Sequence, residues 1–267
     1  MTAEVFAPAK INLTLHVTGQ RANGYHLLDS LVVFADVGDR LWITPAERMR
    51  LDVTGAFAEG VPVDGRNLIW QAAELAGQVA HIRVEKNLPH GGGIGGGSSD
   101  AAAVLRHYGV SEGAGQLGAD VPVCLGARAQ RMRGIGEVLE PVALPVLHSV
   151  LVNPGVHVAT PDVFKAFAVK DNSGMPEPLP AFPDASALIR WLRGQRNDLE
   201  APARALAPEI GTCLDALAAL EDAALVRMSG SGSSCFALFE AADGAERAAA
   251  RLATEHPRWW VRATRLN

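Results

Sequence analysis

The chain has no surplus of basic charge, no apolar run long enough to cross a membrane and very little tyrosine. Its 24 lysines and arginines face 29 aspartates and glutamates, a formal net charge of -5. Bulk nucleic-acid binding rests on basic surface and counterion release, so nucleic acid is not an expected partner. No segment approaches the ~18 apolar residues of a spanning helix, and "MTAEVFAPAKINL" lacks the basic flank and apolar core of a secretory leader. A cytoplasmic protein with no membrane partner is the expectation. The cysteines are few: Cys124, Cys213 and Cys235 are odd in number, far apart and set among apolar neighbours. They read as reduced core thiols rather than disulfides or zinc ligands. The histidines show no HExxH spacing, and no repeat recurs at a fixed period. Aromatics at 6% are scarce, but hydrophobic residues reach 48%. A chain of 267 residues can bury an aliphatic core as one large domain or two smaller ones.

What is present is a mixture of strand and helix patterns. "KINLTLHV" alternates, with Ile11, Leu13, Leu15 and Val17 on one face and Lys10, Asn12, Thr14 and His16 on the other, which predicts a half-buried strand. "SLVVFADV" and "RLWIT", separated by Gly38 and Asp39, read as a hairpin. "NLIWQAAELAGQVA" reads as a helix and "HIRVEK" as a strand. A further strand ends near Pro154 and Gly155, a natural domain boundary. Helices are expected around residues 160–168, 184–193, 201–220 and 243–255. Two strands flank the Gly/Ser turn of "LVRMSGSGSSCFALFE", and "WWVRATRL" reads as a last strand.

The most unusual stretch is "LPHGGGIGGGSSDAAAV", with six glycines in seven positions. Without Cβ atoms, successive backbone N–H groups can converge on an anion, and a following helix N-terminus adds favourable partial charge. A strand before it and a helix after it are the setting of a phosphate loop, with Ser98 or Ser99 as cap and Asp100 suited to the helix dipole. Gly91, Gly93 and Gly96 satisfy G-x-G-x-x-G, but six glycines make that pattern nearly automatic. "GVSEGAGQ" supplies no second strand ending in a ribose-binding acid. No lysine precedes Ser98, so the loop is not a Walker A motif.

Three stretches carry a family resemblance: "PAKINLTLHVTGQRANGYHLLDS", "LPHGGGIGGGSSDAAA" and "MSGSGSSCFALF". Together and in this order they resemble the three motifs of the galactokinase, homoserine kinase, mevalonate kinase and phosphomevalonate kinase superfamily. "LGADVP" and "NPGVHVATPDVF" narrow the resemblance to the branch that phosphorylates the 2-hydroxyl of 4-diphosphocytidyl-2-C-methyl-D-erythritol in non-mevalonate isoprenoid synthesis. The segment between Ala103 and Leu117 is shorter than in typical members. The implied fold is α+β with two domains, residues 1–148 resembling domain 2 of ribosomal protein S5 and residues 149–267 ferredoxin-like. The implied reagents are ATP and Mg²⁺, though no Mg²⁺ ligand can be named, and the implied partner is a small molecule. A monomer or weak homodimer is expected. A superfamily kinase with another acceptor and a non-catalytic nucleotide binder are the alternatives.

The resemblance assigns roles. Pro89, His90, Gly91, Gly92, Gly93, Ile94, Gly95, Gly96, Gly97, Ser98 and Ser99 would cradle the ATP phosphates. Lys86, Leu88 and Asn67 are adenine-pocket candidates. Asp120 is the implied base for the acceptor hydroxyl; on sequence alone it reads equally well as a helix N-cap ahead of Pro122. Lys10 would stabilise developing charge beside it. Lys10 and Asn12 lie two residues apart on a strand, ~6.6 Å, a spacing one substrate group could bridge. Tyr25 and Phe164 would flank the cytosine ring, with His26 bonding its polar edge and Thr160 nearby. Without the resemblance, single aromatics such as these read as core residues. The loop from Ser229 to Ser234 reads either as a support for the phosphate loop or as a plain β-turn.

Overall fold

Strands β1 (Ala3–Asn12) and β2 (His16–Gln20) lead into a long β3 (His26–Pro45) and a short β4 (Arg50–Thr54) in the computed structural model, which describes residues 1–169 and 171–267. Helix α1 (Leu68–Leu75), strand β5 (Ala80–Glu85) and helices α2 (Gly96–Tyr108), α3 (Ala114–Leu117) and α4 (Val121–Gly126) follow. Strands β6 (Gln130–Gly134), β7 (Val138–Pro141) and β8 (Leu147–Asn153) precede helices α5 (Thr160–Ala166), α6 (Ala185–Leu192), α7 (Glu200–Leu206) and α8 (Pro208–Ala218). Strands β9 (Leu225–Met228) and β10 (Cys235–Phe239), helix α9 (Ala242–Glu255) and strand β11 (Trp260–Leu266) complete the chain. The content is α+β. Among the described residues no helix is long and apolar enough to cross a membrane.

The chain divides into two interleaved units. The first comprises Met1–Lys10, Val37–His90 and Gly95–Ala127. In it β5 pairs antiparallel with β3 and parallel with β4, and β1 pairs with β3. Helix α2 packs on α1 and α4, burying its alanine run from Ala101 to Ala103. Small side chains let helices approach closely, which explains the alanines.

The second unit comprises Ile11–Asp36, Gly91–Ile94 and Arg128–Asn267. There β3 pairs with β2 and β6, and an antiparallel set runs in the order β11-β8-β10-β9. Alternate residues Val150 and Val152 of β8 and Cys235, Ala237 and Phe239 of β10 join Ile210, Leu214 and Leu217 of α8 and Leu252 of α9 in one core cluster. This is the period-2 pattern meeting the 3.6-residue pattern. All three cysteines are buried free thiols; burial pushes Cys124 up to about 12.

Four local expectations need correction. Gly38 and Asp39 do not turn the chain, because β3 runs straight through them. The glycine serves close approach instead: a Cβ there would lie 2.2 Å from the Ala7 carbonyl oxygen. The expected strand from Lys10 to Val17 breaks after Asn12, where the Thr14 hydroxyl accepts the Leu31 N–H at 2.9 Å in place of a ladder bond. Its polar face is not exposed either, since Lys10, Asn12, Thr14 and His16 are all at most 4% accessible. The expected helix over 201–220 is two helices, since Pro208 lacks an N–H to continue the first and starts the second. Finally, α2 starts at Gly96 behind a left-handed Gly95, ahead of the serines expected to cap it.

Candidate active site

In the first unit, β1 carries Lys10 and the start of α4 carries Asp120. Their Nζ and Oδ2 atoms are 2.6 Å apart. Asp120 occupies the N-cap position of α4 but its side chain makes no capping bond. The carboxylate is paired with Lys10 and not with the helix N–H groups. The Lys10 side chain is 5% accessible and that of Asp120 39%. A buried ammonium thus holds a carboxylate that still meets solvent, an arrangement suited to receiving a proton from an incoming hydroxyl.

The same unit holds both ends of the glycine loop. Leu88 and Pro89 are buried, while His90 is exposed with its ring nitrogen against the Phe57 carbonyl. Helix α2 has no side-chain cap, so the N–H groups of its first turn, from Gly96 to Ser98, receive none of the protein's own side chains at the N-cap. That is the local chemistry of an anion cradle. Ser99 differs from Ser98: it is fully buried and its Oγ donates to the Pro8 carbonyl at 2.7 Å. Ser99 therefore anchors α2 to β1.

The remaining candidates in this unit have structural engagements. Asn67 caps α1, accepting from Ile69 N–H at 2.9 Å and donating to Pro62 at 2.7 Å. Lys86 is buried with its ammonium between Asp39 and Asp100. The Leu88 N–H donates to Asp39 at 2.9 Å. The Asn67 and Lys86 side chains are thus taken up within the protein.

In the second unit, Gly91 to Ile94 are held by the Ser229–Ser234 loop. Ser229 Oγ donates to the Gly93 carbonyl at 3.0 Å, and Ser234 N–H donates to the Gly92 carbonyl at 2.9 Å. The later loop is therefore a brace for the glycine segment, not an isolated turn. Asn12 joins it: its N–H donates to Ser229 Oγ at 3.1 Å and its Nδ2 to Ser30 Oγ at 2.8 Å. Asn12 Oδ1 is buried and has no partner among the described residues. Thr160 and Ser231 hydroxyls lie 2.7 Å apart. His26 stacks on Phe164 with ring centroids 4.8 Å apart and planes at 24°. Tyr25 is 60% accessible. An exposed tyrosine is no core residue.

Glycine is required at specific places in the run. Gly93 has φ +70°, and a Cβ on it would lie 2.5 Å from the Ser229 carbonyl oxygen. Gly95 has φ +66°, and its Cβ would meet Lys10 Cβ at 3.2 Å. Gly95→Val would add about 1–3 kcal/mol of backbone strain and crowd the lysine stem. Nucleotide affinity is expected to fall roughly tenfold or more. Titration calorimetry on the folded variant measures this, and unchanged affinity would show that the loop is not the cradle.

Sequence reasoning missed Asp39 and Asp100 as the partners of Lys86. Asp39 sits in a Gly-Asp pair that imitates a turn, and Asp100 at a position that suits a helix dipole. Neither local pattern signals a distant lysine.

The chain is similar to known proteins along nearly its whole length. Residues 67–127 match the GHMP kinases N terminal domain and residues 179–258 the GHMP kinases C terminal domain. The chain is 58% identical over 262 residues to the 4-diphosphocytidyl-2-C-methyl-D-erythritol kinase of Paracoccus denitrificans, covering 97% of this chain and 95% of that one. It is 56% identical to the protein of the same name in Dinoroseobacter shibae, covering 98% and 94%. Among solved structures, a 4-(cytidine 5'-diphospho)-2C-methyl-D-erythritol kinase crystal structure is similar with TM-score 0.79 and 37% identity, over 99% of both chains.

Proposed function

We propose, because this chain belongs to the 4-diphosphocytidyl-2-C-methyl-D-erythritol kinase family of GHMP kinases, that it transfers the γ-phosphate of ATP to the 2-hydroxyl of that cytidyl substrate. It is an ATP-dependent small-molecule kinase. The observation that carries the chemistry is the Lys10–Asp120 ion pair at 2.6 Å. In this reading Asp120 accepts the hydroxyl proton while the oxygen attacks the γ-phosphorus, and ADP leaves with the electron pair of the broken bridging bond. Lys10 stabilises the negative charge that develops on the transferred group. The first-turn N–H groups of α2, with Pro89, His90, Gly91, Gly92, Gly93, Ile94, Gly95, Gly96, Gly97 and Ser98, receive the nucleotide phosphates.

Adenine recognition falls to the backbone and apolar surface beside Leu88 and to the segment around Asn67 and Lys86, since the two polar side chains are engaged elsewhere. Tyr25 and Phe164 flank the cytosine. One face of Phe164 is against His26; a base on the other face would lie out of reach of the imidazole, so bonding of its polar edge by His26 requires this stack to open, with Thr160 as the other polar neighbour. Asn12 orients the polyol. Its unpartnered Oδ1 can accept from a substrate hydroxyl. The described residues hold no group of three His, Cys, Asp or Glu side chains able to ligate a metal. Mg²⁺ bound together with ATP would neutralise charge on the nucleotide phosphates, and no residue is assigned as its ligand.

Functionally we divide the chain at residue 148, a division supported by the two family matches falling on either side. We place the protein in the cytoplasm as a monomer or weak homodimer, where a small-molecule enzyme of this charge needs no membrane or nucleic-acid partner.

A coupled ADP-release assay tests the reading. Turnover is expected with the diphosphocytidyl acceptor and not with mevalonate or homoserine; equal rates on those two acceptors would sink the assignment.

A further inference from the structure

Behind the glycine loop, in the first unit, lies a buried trio of charges that the phosphoryl-transfer chemistry does not use. Lys86, directly after β5, places Nζ between Asp39 of β3 and Asp100 of α2, the latter at 2.6 Å. All three side chains are nearly inaccessible, at 4%, 0% and 3%. Asp39 does more than pair with the lysine. Its Oδ1 accepts the N–H groups of Asn87 at 2.5 Å and Leu88 at 2.9 Å, the residues that lead the chain into the loop. Asp100 stands in α2, the helix that leaves the loop. Gly96 packs on the same cluster: a Cβ there would lie 3.7 Å from both Asp39 Oδ2 and Lys86 Nζ.

We propose that Asp39 is a positioning residue for ATP, acting through Lys86 and the N–H groups of Asn87 and Leu88 to fix the entry and exit of the phosphate loop in one preformed geometry. The inference rests on the reading of that loop as the ATP cradle. An anion cradle gains affinity when its N–H groups need not be ordered on binding. Asp39 orders the backbone before the loop, and the Lys86 bridge ties that backbone to the helix whose first turn faces the phosphate. No ligand touches the trio in this scheme, so its effect falls on nucleotide affinity and not on proton transfer.

The charge state of the trio agrees with this role. Burial raises the Asp100 carboxyl to about 8, with Asp39 adding to the rise and Lys86 opposing it. Burial disfavours the Lys86 ammonium, but Asp100 and Asp39 outweigh burial and hold its pKa above the ordinary lysine value. The Lys86 ammonium therefore stays charged between the two carboxyl groups, which keeps the bridge between the strand side and the helix side of the loop in place.

Asp39→Asn keeps the shape and one acceptor oxygen but removes the charge that holds Lys86. The expected result is a KM for ATP raised about tenfold, with kcat and the KM for the cytidyl acceptor changed less than about threefold. ADP affinity by calorimetry is expected to fall in parallel, and this second readout stands even if the acceptor assignment is wrong. Wild-type enzyme that turns over no acceptor would defeat the functional reading, while weakened ADP binding in the variant would still support this one. Should the single variant fail to fold, Asp39→Glu, which keeps the charge but displaces the carboxylate from the Asn87 and Leu88 N–H groups, is read in the same way. An unchanged KM for ATP and ADP affinity in either folded variant, or a fall in kcat alone, overturns the proposal. If neither folds, amide hydrogen exchange of the native enzyme decides. Asn87 and Leu88 must be protected before nucleotide is added, and rapid exchange there in the free protein overturns it.

Discussion

Asp120→Asn is expected to lower kcat by ~10²-fold or more while leaving ATP binding close to that of the unaltered enzyme. The substitution keeps size and some hydrogen-bonding capacity but removes the proton acceptor. It also spares the helix, because Asp120 makes no side-chain capping bond to α4. Steady-state kinetics with both substrates varied, together with ADP calorimetry, separates the cases. Loss of binding for both substrates would mark a structural residue. Near-normal turnover would rule out Asp120 as base, leaving the hydroxyl to lose its proton to phosphate or water.

Lys10→Met is the second large effect, an expected fall in kcat of ~10²-fold. Methionine retains the stem that packs near Gly95 and removes only the ammonium. The Lys10 side chain is 5% accessible and its charge is paired with Asp120 at 2.6 Å, so its loss alters the base as well as the transition-state charge. The two residues should therefore act as a unit. The Asp120→Asn, Lys10→Met double variant is expected to be little slower than either single variant, because effects of groups in direct contact do not add. Strict multiplication of the two losses would show that Lys10 and Asp120 work independently and that the ion pair has no mechanistic meaning.

Much of this was legible from residue order alone. The glycine run predicts bare backbone between a strand and a helix, and Gly93 and Gly95 both take left-handed conformations that glycine allows. The alternating apolar positions Ile11, Leu13, Leu15 and Val17 predict a buried face, and all four are buried. Strands β5, β8, β9, β10 and β11 and helices α6 and α9 lie where their periods put them, while α1 stops at Leu75, short of the expected end at Ala80. Local pattern reports these features because hydrophobic period, chain stiffness and missing side chains act over a few residues.

Partners distant in sequence were not legible. A Gly-Asp pair reads as a turn, yet only the packing of β1 against β3 reveals that Gly38 admits a neighbouring carbonyl and that Asp39 gathers Lys86, Asn87 and Leu88. The polar face of the first strand reads as wet, but folding buries it and gives its groups partners distant in sequence. Asn12 reaches Ser30 and Ser229, and Lys10 reaches Asp120. The sequence by itself determined which residue types were available for phosphoryl transfer and which segments would be strand, loop or helix. Only the tertiary structure decided which charges meet, because an ion pair depends on distance in space and on exclusion of water, and neither is a property of neighbouring residues.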